Sequence, residues 1–286
     1  MKSKKFMAVA LAAITMGTMA AFASCGSDGD STGSTGGSGT SGTAEKVTLS
    51  FAGSTSVQPL MGALADAYME KNKNVEIEVQ GGGSAVGISN AQEGKGDFGM
   101  ASKHVDEEGV TSVKIADDGI VVIVNKASEL TNVTGAQLYD LYTTGTAIGS
   151  ATLPVAREEG SGTRDAFEDL VKSSSGEKLK DTETRYGKTE SFNSTGAAMT
   201  KVATTKAALG YISLGSLNDT VKALTFEGVA ATVENVKNKS YTMSRPFELC
   251  YNTEKGLSEE AQAFLDFILS EEGQEIVADE GYITIL

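Results

Sequence analysis

Arg157-Glu-Glu-Gly-Ser-Gly-Thr-Arg-Asp-Ala-Phe167 joins two different hydrophobic patterns. Upstream, Leu153 to Ala156 is a short apolar run. Downstream, Ala166, Phe167, Leu170 and Val171 recur at helical spacing. Gly160 and Gly162 allow a tight turn between them, so the stretch reads as strand, turn and helix. Ser161 suits the N-cap position, which leaves the amides of Gly162 and Thr163 among the unpaired N–H groups that open the helix. With two hydroxyls and the Arg157 guanidinium beside them, these groups suit a small tetrahedral oxyanion. Taken alone, the same residues also suit an ordinary capped turn with a surface arginine.

The plan repeats outward from this stretch. Val47 to Ala52 reads as a strand, Gly53-Ser-Thr-Ser56 as a polar turn, and a helix follows from about Pro59 with Leu60, Leu64 and Tyr68 on one face. Val75, Ile77 and Val79 alternate with Glu76 and Glu78 as a second strand, which ends in Gln80-Gly-Gly-Gly-Ser84 before a short helix. Asp97 to Ser102 closes another short element. Ile120 to Val124 is a continuous apolar run, as expected of a strand covered on both faces. Strand signals return at Leu153–Ala156, Ala208–Ser213, Val221–Phe226 and Ser244–Tyr251, and a helix starts at Ser258. Such alternation predicts an α/β fold with mostly parallel sheets. The expected division is a first lobe of residues 46–125 and 244–286, with a second lobe of 126–243 between them. Two crossovers then join the lobes, and a cleft between them is the natural ligand site.

Residues 1–24 carry Lys2, Lys4 and Lys5 ahead of an apolar run to Ala23, which is an export signal. Phe22-Ala-Ser-Cys25 looks like a bacterial lipobox, in which Cys25 is diacylated and becomes the new N-terminus; a plain secretory cleavage site is the other reading. Between Gly26 and Ala44, 7 Gly, 5 Ser and 4 Thr leave nothing to bury. Residues 25–45 are therefore expected to be a lipidated cysteine and a flexible tether holding a soluble domain off a membrane. The other cysteine, Cys250, lies in an apolar run and reads as a buried small hydrophobe. The formal charge is −14, and loss of the signal would make it more negative by three lysines. That balance argues against nucleic-acid binding and against long-range attraction of an anion, so any anion must be held by local groups.

With these residues in place, the chain resembles the phosphate-binding subunit of the bacterial phosphate ABC importer, the PstS family. The resemblance rests on an ordered set: the 53–56 and 80–84 turns, Asp97-Phe98-Gly99, Arg157-x-x-Gly-Ser-Gly-Thr163, Phe192-Asn-Ser-Thr-Gly196, Leu209-Gly-Tyr-Ile-Ser213, Arg245-Pro-Phe247, and the segment from Phe264 to Ile285. It implies a bilobal periplasmic-binding-protein-like fold of type II that closes on dehydrated phosphate. It also implies an extracytoplasmic lipoprotein, monomeric, that hands phosphate to a membrane permease and uses no cofactor or metal. Carried over by position, Thr55, Ser56 and Ser84 would donate to phosphate, Arg157 would bind two of its oxygens, and Ser161, Gly162 and Thr163 would supply a helix N-terminus. Asp97 would accept the proton that phosphate carries and sulfate lacks; on pattern alone it also suits a turn cap. Glu159 would brace Arg157.

Other classes leave weaker traces. The chain has one histidine, His104, and no paired cysteines, no Gly-x-Ser-x-Gly and no phosphate-binding Gly-x-x-x-x-Gly-Lys loop, so no catalytic residues are expected. His104 reads as a surface residue. A receptor for sulfate, molybdate or another oxyanion would keep the fold and change the ligand, and a surface phosphate sensor or adhesin would keep both.

Overall fold

Alternation places Leu49 and Phe51 inward along the first strand, and this inward row organises the first lobe of the computed structural model, which describes residues 46–286. The export signal, Cys25 and the tether lie outside the described residues. In chain order the first lobe contains β1 (Val47–Gly53), α1 (Gln58–Lys71), β2 (Val75–Gly81), α2 (Ser84–Gln92), β3 (Phe98–Ala101) and the first half of β4 (Val110–Asn125). The second lobe continues β4 and adds β5 (Asn132–Val133), α3 (Gly135–Thr144), β6 (Leu153–Arg157), α4 (Gly162–Leu170), β7 (Glu190–Phe192), α5 (Thr195–Thr204), β8 (Ala208–Ser213), β9 (Val221–Ala223), β10 (Thr225–Phe226) and α6 (Val233–Lys237). The chain then returns through β11 (Ser244–Asn252) to α7 (Glu259–Leu269) and α8 (Glu271–Asp279) in the first lobe.

The strands run in the order β2-β1-β3-β11-β4-β8-β6-β7, with β9 also on β4. The sheet is mixed rather than mostly parallel. β1 pairs in parallel with β2 and β3, and β6 with β7 and β8, whereas β11 is antiparallel to β3 and β4, and β4 to β8 and β9. The reversal follows from the two crossovers, since a chain that leaves a lobe on β4 must re-enter it on β11. The first core gathers Phe51, Leu60, Phe98, Phe247 and Phe264, with the Phe51 and Phe98 rings stacked at 5.0 Å. The second gathers Ile120, Tyr142, Phe167 and Tyr211, with Phe167 and Tyr211 stacked at 3.8 Å. Cys250 is fully buried, and that burial pushes its thiol up to about 12.

Ala116 belongs to the first core and Ile120 to the second. The lobe boundary therefore falls inside β4, near 117–119, several residues before the expected break at 125. The apolar run Ile120–Val124 is a continuation of a 16-residue strand whose polar stretch at Asp117–Gly119 passes between the lobes. There Asp118 and Arg245 form a buried ion pair at 3.1 Å, joining the two crossover strands. The Ser213 hydroxyl and the Leu214 amide donate to the other Asp118 oxygen, and Arg245 also donates to the Ser102 carbonyl. Burial raises the Asp118 pKa and lowers that of Arg245, and their mutual attraction opposes both shifts.

Removing one partner of such a pair leaves an uncompensated buried charge. Asp118→Ala is expected to cost about 3–5 kcal/mol in urea unfolding; a loss below about 1 kcal/mol would show that the crossover does not depend on this pair.

Candidate functional site

Four strand-to-helix connections deliver helix N-termini to one place. The turns Ser54–Val57, Gly82–Gly83, Glu158–Ser161 and Asn193–Ser194 lead from the carboxyl ends of β1, β2, β6 and β7 into α1, α2, α4 and α5. The opening amides of a helix have no partner within it, and its N-terminus carries partial positive charge. Ser161 caps α4 by accepting from the Arg164 amide, and Ser194 caps α5 by accepting from Ala197. Gly160 turns the chain into α4 at φ +81°, a conformation that favours glycine. Gly162 then comes so close to the first lobe that a Cβ there would lie 2.5 Å from Ser84 Oγ and 2.8 Å from Ser102 Oγ.

Hydroxyls from both lobes meet at this point. Ser56 Oγ is 2.9 Å from both Thr163 Oγ1 and Thr195 Oγ1. Ser54 donates to Ser102 Oγ at 2.9 Å, and Ser84 Oγ accepts from the Ser102 amide at 3.1 Å. Arg157, only 2% exposed, donates through Nη1 to Thr195 Oγ1 and through Nη2 to Thr55 Oγ1, each at 3.0 Å. Its other edge, Nε and Nη2, is gripped by both Glu158 oxygens at 2.8 Å. This bidentate grip fixes the plane of the guanidinium and directs the Nη1–Nη2 edge at the hydroxyls. Below it, the Arg157 amide donates to the Tyr211 hydroxyl at 3.2 Å, tying β6 to the stacked Phe167–Tyr211 pair.

The structure brings together Thr55, Ser56, Ser84, Arg157, Ser161, Gly162 and Thr163. It does not bring Asp97 to them. Asp97 immediately precedes β3 at its amino end, where Oδ2 accepts from the Ser50 amide at 2.8 Å and from its hydroxyl at 3.2 Å. The hydroxyl cluster lies beyond the carboxyl end of the same strand, five residues and so roughly 16 Å away. Glu159 is likewise misplaced: it is exposed, and Glu158 braces Arg157 instead. In the Asp97-Phe98-Gly99 triplet, Gly99 answers to packing, because a Cβ there would lie 2.1 Å from the Gly87 carbonyl of α2.

Ser54, Ser102, Thr195 and Glu158 were not singled out from the sequence. Three of them follow one rule: Ser54, Ser102 and Thr195 stand just past the carboxyl ends of β1, β3 and β7, where α/β sheets place ligands. Among the described residues, the hydrogen bonds of the clustered hydroxyls involve other hydroxyls, backbone groups and Arg157, and no carboxylate. A hydroxyl that accepts from arginine keeps its own proton to donate. Together the guanidinium edge, the helix N-termini and the hydroxyls form a donor-rich, largely buried setting for a small anion.

A family model described as a PBP superfamily domain matches residues 32–272. Phosphate-binding protein PstS of Bacillus subtilis is 31% identical over 255 residues, covering 83% of this chain and 81% of that protein. Phosphate-binding protein PstS 2 of Streptococcus agalactiae is 45% identical over 136 residues, a match that spans only 45% of that relative's length and 46% of this chain. Among solved structures, a Clostridium perfringens putative phosphate ABC transporter substrate-binding protein with bound phosphate superposes with TM-score 0.77 at 40% identity, covering 84% of this chain and all of that one. An ABC-type phosphate transport receptor from Vibrio cholerae gives TM-score 0.65 at 30% identity, with 83% and 99% covered. The chain belongs to the PstS family of phosphate-binding proteins, within the PBP superfamily.

Proposed function

We propose that this protein is an extracytoplasmic receptor that captures inorganic phosphate and delivers it to the membrane permease of an ABC importer. The observation that carries the reading is the Arg157 edge, held by Glu158 and aimed into hydroxyls drawn from both lobes at converging helix N-termini. Such a site binds rather than transforms its ligand, and the relatives are named as binding and transport proteins. In this reading phosphate is held by Arg157, by the amides of Gly162 and Thr163, and by hydroxyls among Thr55, Ser56, Ser84, Ser102, Thr163 and Thr195. Ser161 acts mainly by capping α4 and Glu158 by orienting Arg157. Lobe closure follows binding because donors from the two lobes are satisfied by one anion only when they meet around it. The lipobox reading adds a membrane anchor at Cys25, and the working form is a monomer.

Another tetrahedral oxyanion is favoured by one observation: among the described residues no carboxylate is hydrogen-bonded to the clustered hydroxyls, and the adjacent Glu158 is taken up by Arg157. In this reading selectivity against sulfate does not run through Asp97.

Calorimetry of the purified protein, stripped of anion, decides between these readings. Phosphate binding much tighter than sulfate binding supports the phosphate receptor; equal binding supports the general oxyanion site. Arg157→Ala removes charge-assisted bonds worth about 1.5–3 kcal/mol each and is expected to weaken phosphate binding by about 100-fold or more. Asp97→Asn is expected to leave affinity unchanged, and a large loss in that variant would return Asp97 to the site. Gly162→Ala suits the helix but sets a methyl against Ser84 and Ser102. It should lower phosphate affinity by about tenfold or more while the melting temperature stays within about 2 °C; unchanged affinity would show that the lobes need not meet this closely.

A further inference from the structure

Most contacts between the lobes involve the clustered hydroxyls or the backbone beside them, such as the Ala85 amide donating to the Gly160 carbonyl at 2.9 Å. One contact is different in kind. Lys103, in the first lobe, reaches Asp165 in the second, with Nζ 2.9 Å from Oδ2. Among the described residues this is the one ion pair that crosses the cleft, since the Asp118–Arg245 pair joins the crossover strands themselves. Its members are placed by the site: Lys103 directly follows Ser102, and Asp165 lies in the first turn of α4, two residues after Thr163.

That position sets up an electrostatic conflict. Asp165 gains from the α4 N-terminus, but an anion bound at that same N-terminus meets a like charge close by. Bringing the Lys103 ammonium onto Asp165 offsets that charge, and the offset is made when the lobes are closed. We propose that Lys103 and Asp165 form a latch that slows ligand release by stabilising the closed form; this rests on the phosphate-receptor reading. The two residues border a groove of about 560 Å³ that also contains Glu168, Asp169, Lys180 and Arg245. Lys180 is itself paired with Asp169, and Glu168 with Arg164, so Lys103 is the cation committed to Asp165. Both side chains are partly exposed, at 32% and 44%, so the latch is weak and sensitive to salt.

The test is the dissociation rate of radiolabelled phosphate from the purified protein at low and high ionic strength. Lys103→Met should release phosphate about two- to fivefold faster at low salt and lose most of the salt dependence, whereas Asp165→Asn, which also removes the like charge beside the anion, should lose the salt dependence with a smaller change in rate. Association should stay within about twofold, as expected of a change confined to the closed form. The charge-exchanged double variant Lys103→Glu with Asp165→Lys should recover retention beyond that of Asp165→Lys alone, which neither a purely structural role nor direct attraction of the anion by the new lysine would do. Wild-type release rates with unchanged salt dependence in both single variants, or no recovery in the exchanged one, overturn the latch. Small-angle scattering of the unliganded protein gives a readout independent of phosphate: Lys103→Glu should raise the radius of gyration by populating the open form. This shift in the variant, with wild-type protein that binds no phosphate, keeps the latch and removes the phosphate reading. No shift in the variant counts against the latch.

Discussion

A buried guanidinium at the meeting point of helix N-termini concentrates positive potential that the protein itself only half matches. Glu158 satisfies one edge of Arg157 and leaves the Nη1–Nη2 edge on neutral hydroxyls. Water would screen such a charge cheaply, but at 2% exposure Arg157 has little. The surroundings are rich in donors: Thr55 and Thr195 accept from Arg157 and so keep their own protons to give, and helix N-termini, with their partial positive charge, lie beside them. This local positive site lies within a chain of formal charge −14, so capture depends on short-range bonds rather than on steering from a distance.

The scaffold holds these groups in place. Each lobe has its own aromatic core, and the chain passes between them only on β4 and β11, with Asp118 and Arg245 clasped at the passage. Because Arg245 also holds the Ser102 carbonyl, the crossover is tied directly to the backbone of a residue whose hydroxyl belongs to the cluster. Stacked Phe167 and Tyr211 support Arg157 from the second lobe, and Gly87 packed on Gly99 lets α2 approach from the first. The clustered groups are thus each held by the packing of their own lobe.

Much of this was legible in the residues. The strand, turn and helix pattern at 153–171 and its repeats located Arg157, Gly162 and Thr163 and the turns that carry Thr55, Ser56 and Ser84, because periodicity and capping are local properties. Asp97 lies away from the clustered hydroxyls for a reason that local pattern does not carry: it marks the entry of β3, and α/β sheets place ligands at the exit. Applying that end-of-strand rule to every strand would have pointed to Ser102 and Thr195. The choice between Glu158 and Glu159 turned on which way one side chain faces at the end of β6, which spacing alone does not settle. The lobe boundary was displaced because one strand serves both cores, and an unbroken apolar run hides the change of partner.

A crystal structure of the protein grown with phosphate should show a tetrahedral anion in contact with the Nη1–Nη2 edge of Arg157 and the amides of Gly162 and Thr163, with Asp97 still bonded to Ser50. An anion bound elsewhere, or one contacted by Asp97 with Arg157 turned away, would contradict an anion site built on Arg157.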